Sequence, residues 1–583
     1  MQFPSFGYAE IHPSVALSND TGFRSLRRAT AALGGSAKPF EKGLSENFQK
    51  TPPWRFSHKS KFERIFMNNK VSFTAPDILS ARRILAEYKR AKGALEKRYI
   101  LEDKLWSDVY TSGGSSSWIF NSIINKHADI IEKMPTSVCL PREKRDEAAA
   151  DRLTHIIPVI TERSHFEQIY SDNGWEKLKH GTAVYGVFWN TALEDGLGDI
   201  DLRAISMSDV FWDMSVSDIQ DSKNLFISSV CDRGSIEALY PHFIYDSNRE
   251  SDTAIATSLG FAESFDEKCI VIDWYYKRYL EGGACELHLC KFCGDTVLYS
   301  SECDESCDGG WYAHGQYPIV FDRLYPMSEG VCGFGLISIA QDAQSYINKI
   351  DSNMLSYADW ASRVRFWAKR SLGVNEKEFL DLDRSIVEVE GDIDEEKLRQ
   401  IEISPINDAV IDCKKMKLEE LKEITGSRDV SQGGITGGVT AASAISVLRE
   451  AGAKSSRDGI EESYRAYEKI VSLIIDLIAE FYGTERVFRI SGEDGAHDYV
   501  SISGRALTGD DAGVRPHFDI KIEARENSPS EKKEKNELIK SLYEDGAFKA
   551  ENVKETLIML ELMDFEGVGK LRSALRREYG GEE

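Results

Sequence analysis

From Leu336 to Val364 the chain runs without a glycine or proline, and Ile339, Ala343, Ile347, Ile350, Met354, Tyr357, Ala361 and Val364 recur at helical spacing. That predicts one helix of about 28 residues, roughly 42 Å long. A second helix is predicted to start at Asn407, a suitable N-cap after Pro405. It runs through Val410, Ile411, Met416, Leu418, Leu421 and Ile424 and stops at Gly426. A third spans about Thr440 to Tyr482. Two different connections join these helices. Residues 365–405 form a short mixed segment with a strand-like stretch at Arg384–Glu390 and dense acid: Glu388, Glu390, Asp392, Asp394, Glu395 and Glu396. Residues 427–440 are polar and hold two Gly-Gly pairs. A loop of this composition is rarely placed between strong helices unless it has a job.

The rest of the chain is organised around that series. Residues 1–60, rich in Ser, Gly, Pro and Phe and with little periodicity, read as an N-terminal arm. Helical spacing begins at Asp77 with Ile78, Leu85, Tyr88, Leu95, Tyr99 and Leu105. It resumes from Ser117 to about Lys133, and again from near Arg145 towards Tyr170 with a kink at Pro158. The period then changes to that of strands at Gly181–Asn190, Asp199–Ile205, Asn224–Val230, Cys269–Tyr276 and Glu286–Tyr299. No βαβ alternation is visible, so the fold class is α+β. The last hundred residues hold short strands at Arg486–Ile490, Tyr499–Ser503 and Phe518–Ala524, and Ser528-Pro-Ser-Glu531 opens a final helical stretch as a capping box.

Composition narrows the function classes. A chain of 583 residues needs several structural regions. Its net charge of -24 argues against a tight grip on nucleic acid, which requires a basic patch to neutralise phosphates. No apolar run is long enough to cross a membrane, and the first residues lack the basic and apolar regions of a signal peptide. Ten cysteines without a secretory signal imply a reducing compartment, or metal. The chain has no GxxxxGK[ST], HExxH or GxSxG motif and no GxGxxG opening a helix, so neither an enzyme nor a cofactor is indicated. Gly113-Gly-Ser-Ser-Ser-Trp118 lacks the lysine of a phosphate cradle and reads as a loop capping the helix at Trp118.

Three clusters carry candidate chemistry. Cys290-Lys-Phe-Cys293-Gly followed by Cys303 and Cys307 offers two thiol pairs for a structural zinc, with Cys285 and His288 as spare ligands. The second pair has three residues between its cysteines and lies among acids that look like loop, which counts against zinc. Lys414, Lys415, Lys417 and Lys422 line one helix with Glu419, Glu420 and Glu423, which fits either a functional basic face or a solvated face of helical ion pairs. The acid at 388–396 reads as a solvated surface or a docking face for a basic partner in preference to a magnesium site.

The order of helix, small excursion, helix, polar loop and long helix resembles the portal proteins of tailed double-stranded DNA bacteriophages. Lys179-His-Gly-Thr-Ala-Val-Tyr-Gly-Val-Phe-Trp189, Gly196-Leu-Gly-Asp-Ile200, Val210-Phe-Trp-Asp213 and Asp218–Lys223 look like the wing sequence of portals from phages of Gram-positive hosts. His314–Asp322, Cys332-Gly-Phe-Gly335, Phe518–Glu523 and Met559–Gly567 fit the same pattern. The resemblance implies a portal fold: wing over 61–334, first stem helix over 335–364, clip over 365–405 and second stem helix over 406–426. A tunnel loop over 427–440, a long wing helix over 441–485 and a C-terminal region with a helical crown over 486–583 complete it. It further implies a ring of twelve subunits with a central channel. Such a ring sits at one capsid vertex of the virion after assembly in the host cytoplasm, and conducts double-stranded DNA in packaging and ejection. Its implied partners are the large terminase, head-completion or adaptor proteins, and the major capsid or scaffold protein. Twelve copies would carry about -288, a wall over which DNA slides.

On the same resemblance, Arg428, Ser431, Gln432, Gly433, Gly434, Thr436, Gly437 and Gly438 belong to the channel loop, with one arginine per subunit keeping each phosphate contact weak. Without it, a plain surface linker is the simpler reading of that loop. Lys414, Lys417 and Lys422 become candidates to line the channel, and Glu388, Glu390, Asp392, Asp394, Glu395 and Glu396 to dock partners at the clip. The alternative is another structural or adaptor component of the virion, stabilised by zinc on Cys290, Cys293, Cys303 and Cys307.

Overall fold

A computed structural model of the protein describes residues 77–111, 117–243, 268–279, 285–304, 307, 309–362, 366–368, 377, 398–400, 405–426, 442–491, 497–508, 515–524, 529–545, 553–563 and a few positions from 565 to 575. Met1–Arg55 and Phe56–Glu583 are separate units, and every described residue belongs to the second. The arm expected over 1–60 lies outside the described residues.

Apolar spacing makes α1 (Ile78–Thr111), which buries Ala81, Leu85, Leu95 and Tyr99. At the start of α2 (Trp118–Glu132), the Ser117 hydroxyl accepts from the Phe120 amide and satisfies a donor that the first turn leaves open. After β1 (Pro135–Pro141) come α3 (Glu147–Arg163) and α4 (Phe166–His180). One helix kinked at Pro158 was expected here, and the structure differs. Pro158 sits inside α3, and the chain breaks instead at His165, which is left-handed with φ of 53°. That turn buries Phe166 and Tyr170.

The strands are β2 (Thr182–Asn190), β3 (Asp199–Ile205), β4 (Val210–Trp212) and β5 (Asn224–Asp232), then α5 (Arg233–Leu239), β6 (Lys268–Tyr279), β7 (Cys285–Cys293), β8 (Thr296–Ser300) and β9 (Ile319–Arg323). The β-rich stretch expected over Glu286–Tyr299 is a hairpin, turning at Gly294 with φ of 58° between β7 and β8. They build a three-stranded sheet, β3-β2-β9, and a five-stranded sheet, β4-β5-β6-β7-β8, with antiparallel pairing throughout the described residues. Strand alternation sorts the larger sheet into two faces. Ile270, Ile272 and Trp274 pack with Phe226 against Ala81 and Leu85 of α1, while Cys269 and Val271 pack with Ile236 and Phe243 on the other side.

The short pair β10 (Tyr325–Pro326) and β11 (Gly333–Phe334) leads into α6 (Leu336–Ser362). Strands β12 (Phe366–Ala368) and β13 (Leu398–Gln400) pair antiparallel before α7 (Asp408–Thr425) and α8 (Ala442–Phe481). Asn407 caps α7 by accepting from the Ala409 amide, and Gly426 ends it in the left-handed region with φ of 68°. The main core gathers α2, α3, α4, β2, the first half of α6 and the second half of α8.

After α8 come the hairpin β14 (Arg486–Ser491) with β15 (His497–Ile502), the short α9 (Arg505–Thr508), β16 (Phe518–Ala524), α10 (Pro529–Glu544) and α11 (Val553–Leu562). β16 returns to the start of the unit. It pairs with β1 from Pro135 opposite Ala524 to Pro141 opposite Phe518.

Candidate functional site

The helices α6 and α7 pack on each other, and one half of α6 differs sharply from the other. Leu336, Ile337, Ala340, Ala343, Gln344 and Ile347 are buried, whereas every described position beyond Ile350 is half-buried or exposed. Leu355 is 65 % exposed and Trp360 42 %. The far end of α7 matches, with Val410, Ile411 and Met416 exposed and only Leu421 and Thr425 buried near its C-terminus. The two helices are therefore rooted at one end and project at the other.

The root is held by named contacts. Gln344 Oε1 accepts from the amides of Trp118 and Ile119 at 3.0 and 3.3 Å, so α6 satisfies the open N-terminus of α2. Ser122 Oγ of α2 donates to Thr425 Oγ1 of α7 at 3.3 Å. Just before α6 the backbone comes within touching distance of the end of α4. A β-carbon on Gly181 would lie 2.0 Å from the Phe334 carbonyl carbon, and one on Gly335 would lie 2.2 Å from the Lys179 oxygen. Only glycine fits such a crossing.

Two of the three lysines proposed for a channel turn towards α6. Lys414 pairs with Asp351 of α6, and Lys417 lies 5.2 Å over the Tyr346 ring of the same helix while bonding Glu420 at 2.6 Å. Lys422 stands 3.6 Å from Glu419. All three are part-buried and matched by acids, the arrangement of a face of helical ion pairs. The rotation of α7 about its axis decides this, and a single helical period does not encode it. The loop residues Arg428, Ser431, Gln432, Gly433, Gly434, Thr436, Gly437 and Gly438 and the acids Glu388, Glu390, Asp392, Asp394, Glu395 and Glu396 lie outside the described residues.

The second half of α8 is fixed by a buried polar cluster absent from the sequence reading. Lys177 Nζ of α4 donates to Asp322 Oδ1 at 2.5 Å, to the Gly459 carbonyl at 2.7 Å and to Ser463 Oγ at 2.6 Å. Ser463 Oγ in turn donates to Asp322 Oδ2 at 2.8 Å. Burial pushes the Asp322 carboxyl up against the opposing pull of Lys177. Lys177 is 1 % exposed and Asp322 2 %, so the pair is stable only because both groups are satisfied. At the far end of α8, Arg486 lies 4.0 Å over the Tyr482 ring and donates to the Gly198 carbonyl at 2.7 Å. Trp189 stacks on Phe481 beside it. His314-Gly-Gln-Tyr-Pro-Ile-Val-Phe-Asp322 and Lys179-His-Gly stood out as motifs, but partners 141 to 286 positions apart cannot be matched by spacing.

The cysteines separate. Cys290 belongs to the apolar cluster with Phe226 and Trp274, and Cys293, beyond a β-bulge at Lys291 and Phe292, belongs to the cluster with Ile236 and Phe243. Cys303 is exposed, and Cys307 lies 3.6 Å from the Tyr299 hydroxyl. Burial, reinforced by Cys303 and Glu302, pushes the Cys290 thiol up to about 12. Among the described residues no group of three His, Cys, Asp or Glu is placed to hold a metal ion.

The family model described as phage P22-like portal protein matches residues 119–282 and 283–583. No curated protein matches the chain.

Proposed function

Because this chain belongs to the phage P22-like portal protein family, a family of virion components, we propose that it forms the ring through which double-stranded DNA enters and leaves the capsid. The family match carries this reading, since it covers both the sheets and the helical hairpin. The matched description names the P22 type, so it supports the family at large and not the narrower likeness to portals of Gram-positive hosts. In the proposed ring of twelve, α6 and α7 are the stem, the segment holding β12 and β13 is the clip, and residues 61–334 form the wing with α8. The region from 486 leads to the crown.

The exposed apolar side chains at the projecting end of α6 and α7 support the ring, because a lone subunit leaves Leu355, Trp360 and Met416 in water. The ion-paired lysines favour a channel wall that holds DNA weakly. Arg428 and its neighbours in the tunnel loop then contribute a positive ring. The acids from Glu388 to Glu396 offer a face for terminase during packaging and for head-completion proteins afterwards, and the wing meets the capsid or scaffold protein. None of the described helices is long and apolar enough to cross a membrane.

Class averages of the purified full chain by electron cryomicroscopy test this. Twelve-fold or near-twelve-fold rings with an opening wide enough for a B-form duplex are expected. Uniform monomers or dimers, persisting when capsid and scaffold proteins are added, would overturn it.

A further inference from the structure

His180, the last residue of α4, sits between two carboxylates. Its Nδ1 lies 2.8 Å from Glu102 Oε2 and its Nε2 lies 3.0 Å from Asp103 Oδ1. Ionised carboxylates only accept, so both ring nitrogens must carry protons and the ring is an imidazolium. The other oxygen of Glu102 accepts from the hydroxyl of Ser338, in the first turn of α6. Glu102 is buried outright, and the Tyr99 ring lies 4.7 Å from the imidazole.

The charged surroundings come from two helices and balance. From α1, Glu102 and Asp103 are joined by Arg98, whose Nε lies 3.6 Å from Glu102 Oε1 and whose Nη2 donates to the Gly333 carbonyl at 2.8 Å. From α4, Glu176 lies 3.8 Å from Nε2 and is itself paired with Lys179 at 2.6 Å. From α6 the contact is the uncharged Ser338. Arg98, Lys179 and His180 thus oppose Glu102, Asp103 and Glu176. Loss of one proton from the ring to solvent leaves a net negative charge. It also sets a nitrogen lone pair against a carboxylate oxygen.

We propose that His180, Glu102 and Ser338 form a positioning clamp that holds the first turn of α6 on the body while the imidazole is charged and loosens it when the proton leaves. Burial alone would lower the affinity of the ring for its second proton, but the bonds to Asp103 and Glu102 and the charges of Asp103 and Glu176 outweigh it and lift the pKa to about 8. A histidine raised above its unfolded value of about 6.5 contributes fully below that value, and its contribution fades as pH rises through the folded one. The window of loosening is therefore mildly alkaline. The clamp lies within one subunit, so its test does not depend on the ring.

Hydrogen exchange of the full chain, with labelling times scaled to the intrinsic amide rate, reads the clamp directly between about pH 6 and about pH 9. Protection of residues 336–347 should fall about tenfold with a midpoint near that of His180, while residues 460–478 of α8 stay constant. In His180→Gln the protection of 336–347 should be low and flat with pH. Ser338→Ala removes only the link to α6, so the pH dependence should vanish from 336–347 and persist at the α1–α4 contact. A flat profile in the unaltered chain, a parallel fall in α8, or an unchanged midpoint in His180→Gln would each overturn the proposal.

Discussion

The two ends of α6 are one continuous helix in two environments. Near its start, Ile347 is 0 % exposed, and beyond it Leu355 is 65 % exposed. The stripe that buries Ile347 continues through Ile350, Met354 and Tyr357, which are only half-buried, and Leu355 lies off it, so helical spacing does not by itself explain the difference between the two ends. The rooted end is determined within the subunit, by Gln344 capping α2 and by the glycine crossing with α4. The projecting end carries apolar side chains that the subunit does not bury. A helix of this kind stores part of its information for a neighbour.

Three substitutions sharpen that contrast. Ile347→Ala, which opens a cavity in the root, should cost about 3 kcal/mol of subunit stability in denaturant unfolding. If the cost is near zero, the rooted end is less packed than it looks. Leu355→Asp should leave the unfolding of the isolated subunit unchanged to within about 0.5 kcal/mol. It should still weaken ring formation about tenfold, seen as a shift from rings to free subunits on dilution in mass photometry. Equal effects on folding and assembly would erase the distinction between the two ends. Smallest is Lys415→Ala. Its pair with Asp412 at 3.2 Å is largely exposed, so the change should fall below about 0.5 kcal/mol, and high salt should remove even that.

Much of the architecture was legible from local signals. Of the helix expected over Leu336 to Val364, the described part Leu336–Ser362 is helical, and Asn407 and Gly426 cap α7 as their chemistry requires. The period-two stretches become β2, β3, β5 and β6 within a few residues. Errors arose where distant packing overrides local preference. His165 breaks the helix although Pro158 carries the stronger breaking signal, because Phe166 and Tyr170 must turn into the core. The site was less legible than the fold. The face of α7 that carries Lys414 and Lys417 depends on Asp351 and Tyr346 of α6. The Lys177–Asp322 pair and the His180 clamp join residues that only the tertiary structure brings together. Neither spacing nor composition holds that information.

The pairing of β1 with β16 has a temporal consequence. Arg142 bonds Asp519, a partner 377 positions later in the chain. At ribosomal speeds of about 5–20 residues per second, β1 waits roughly 20 to 75 s for its complement to be synthesised. During that interval it is an unpaired edge in a crowded cell, and Pro135 and Pro141 at its two ends cannot donate to an intruding strand. β16, the last of the described strands, therefore closes this ladder late. A chain cut before Phe518 cannot form it, and a nascent one forms it only after Ala524 has been made.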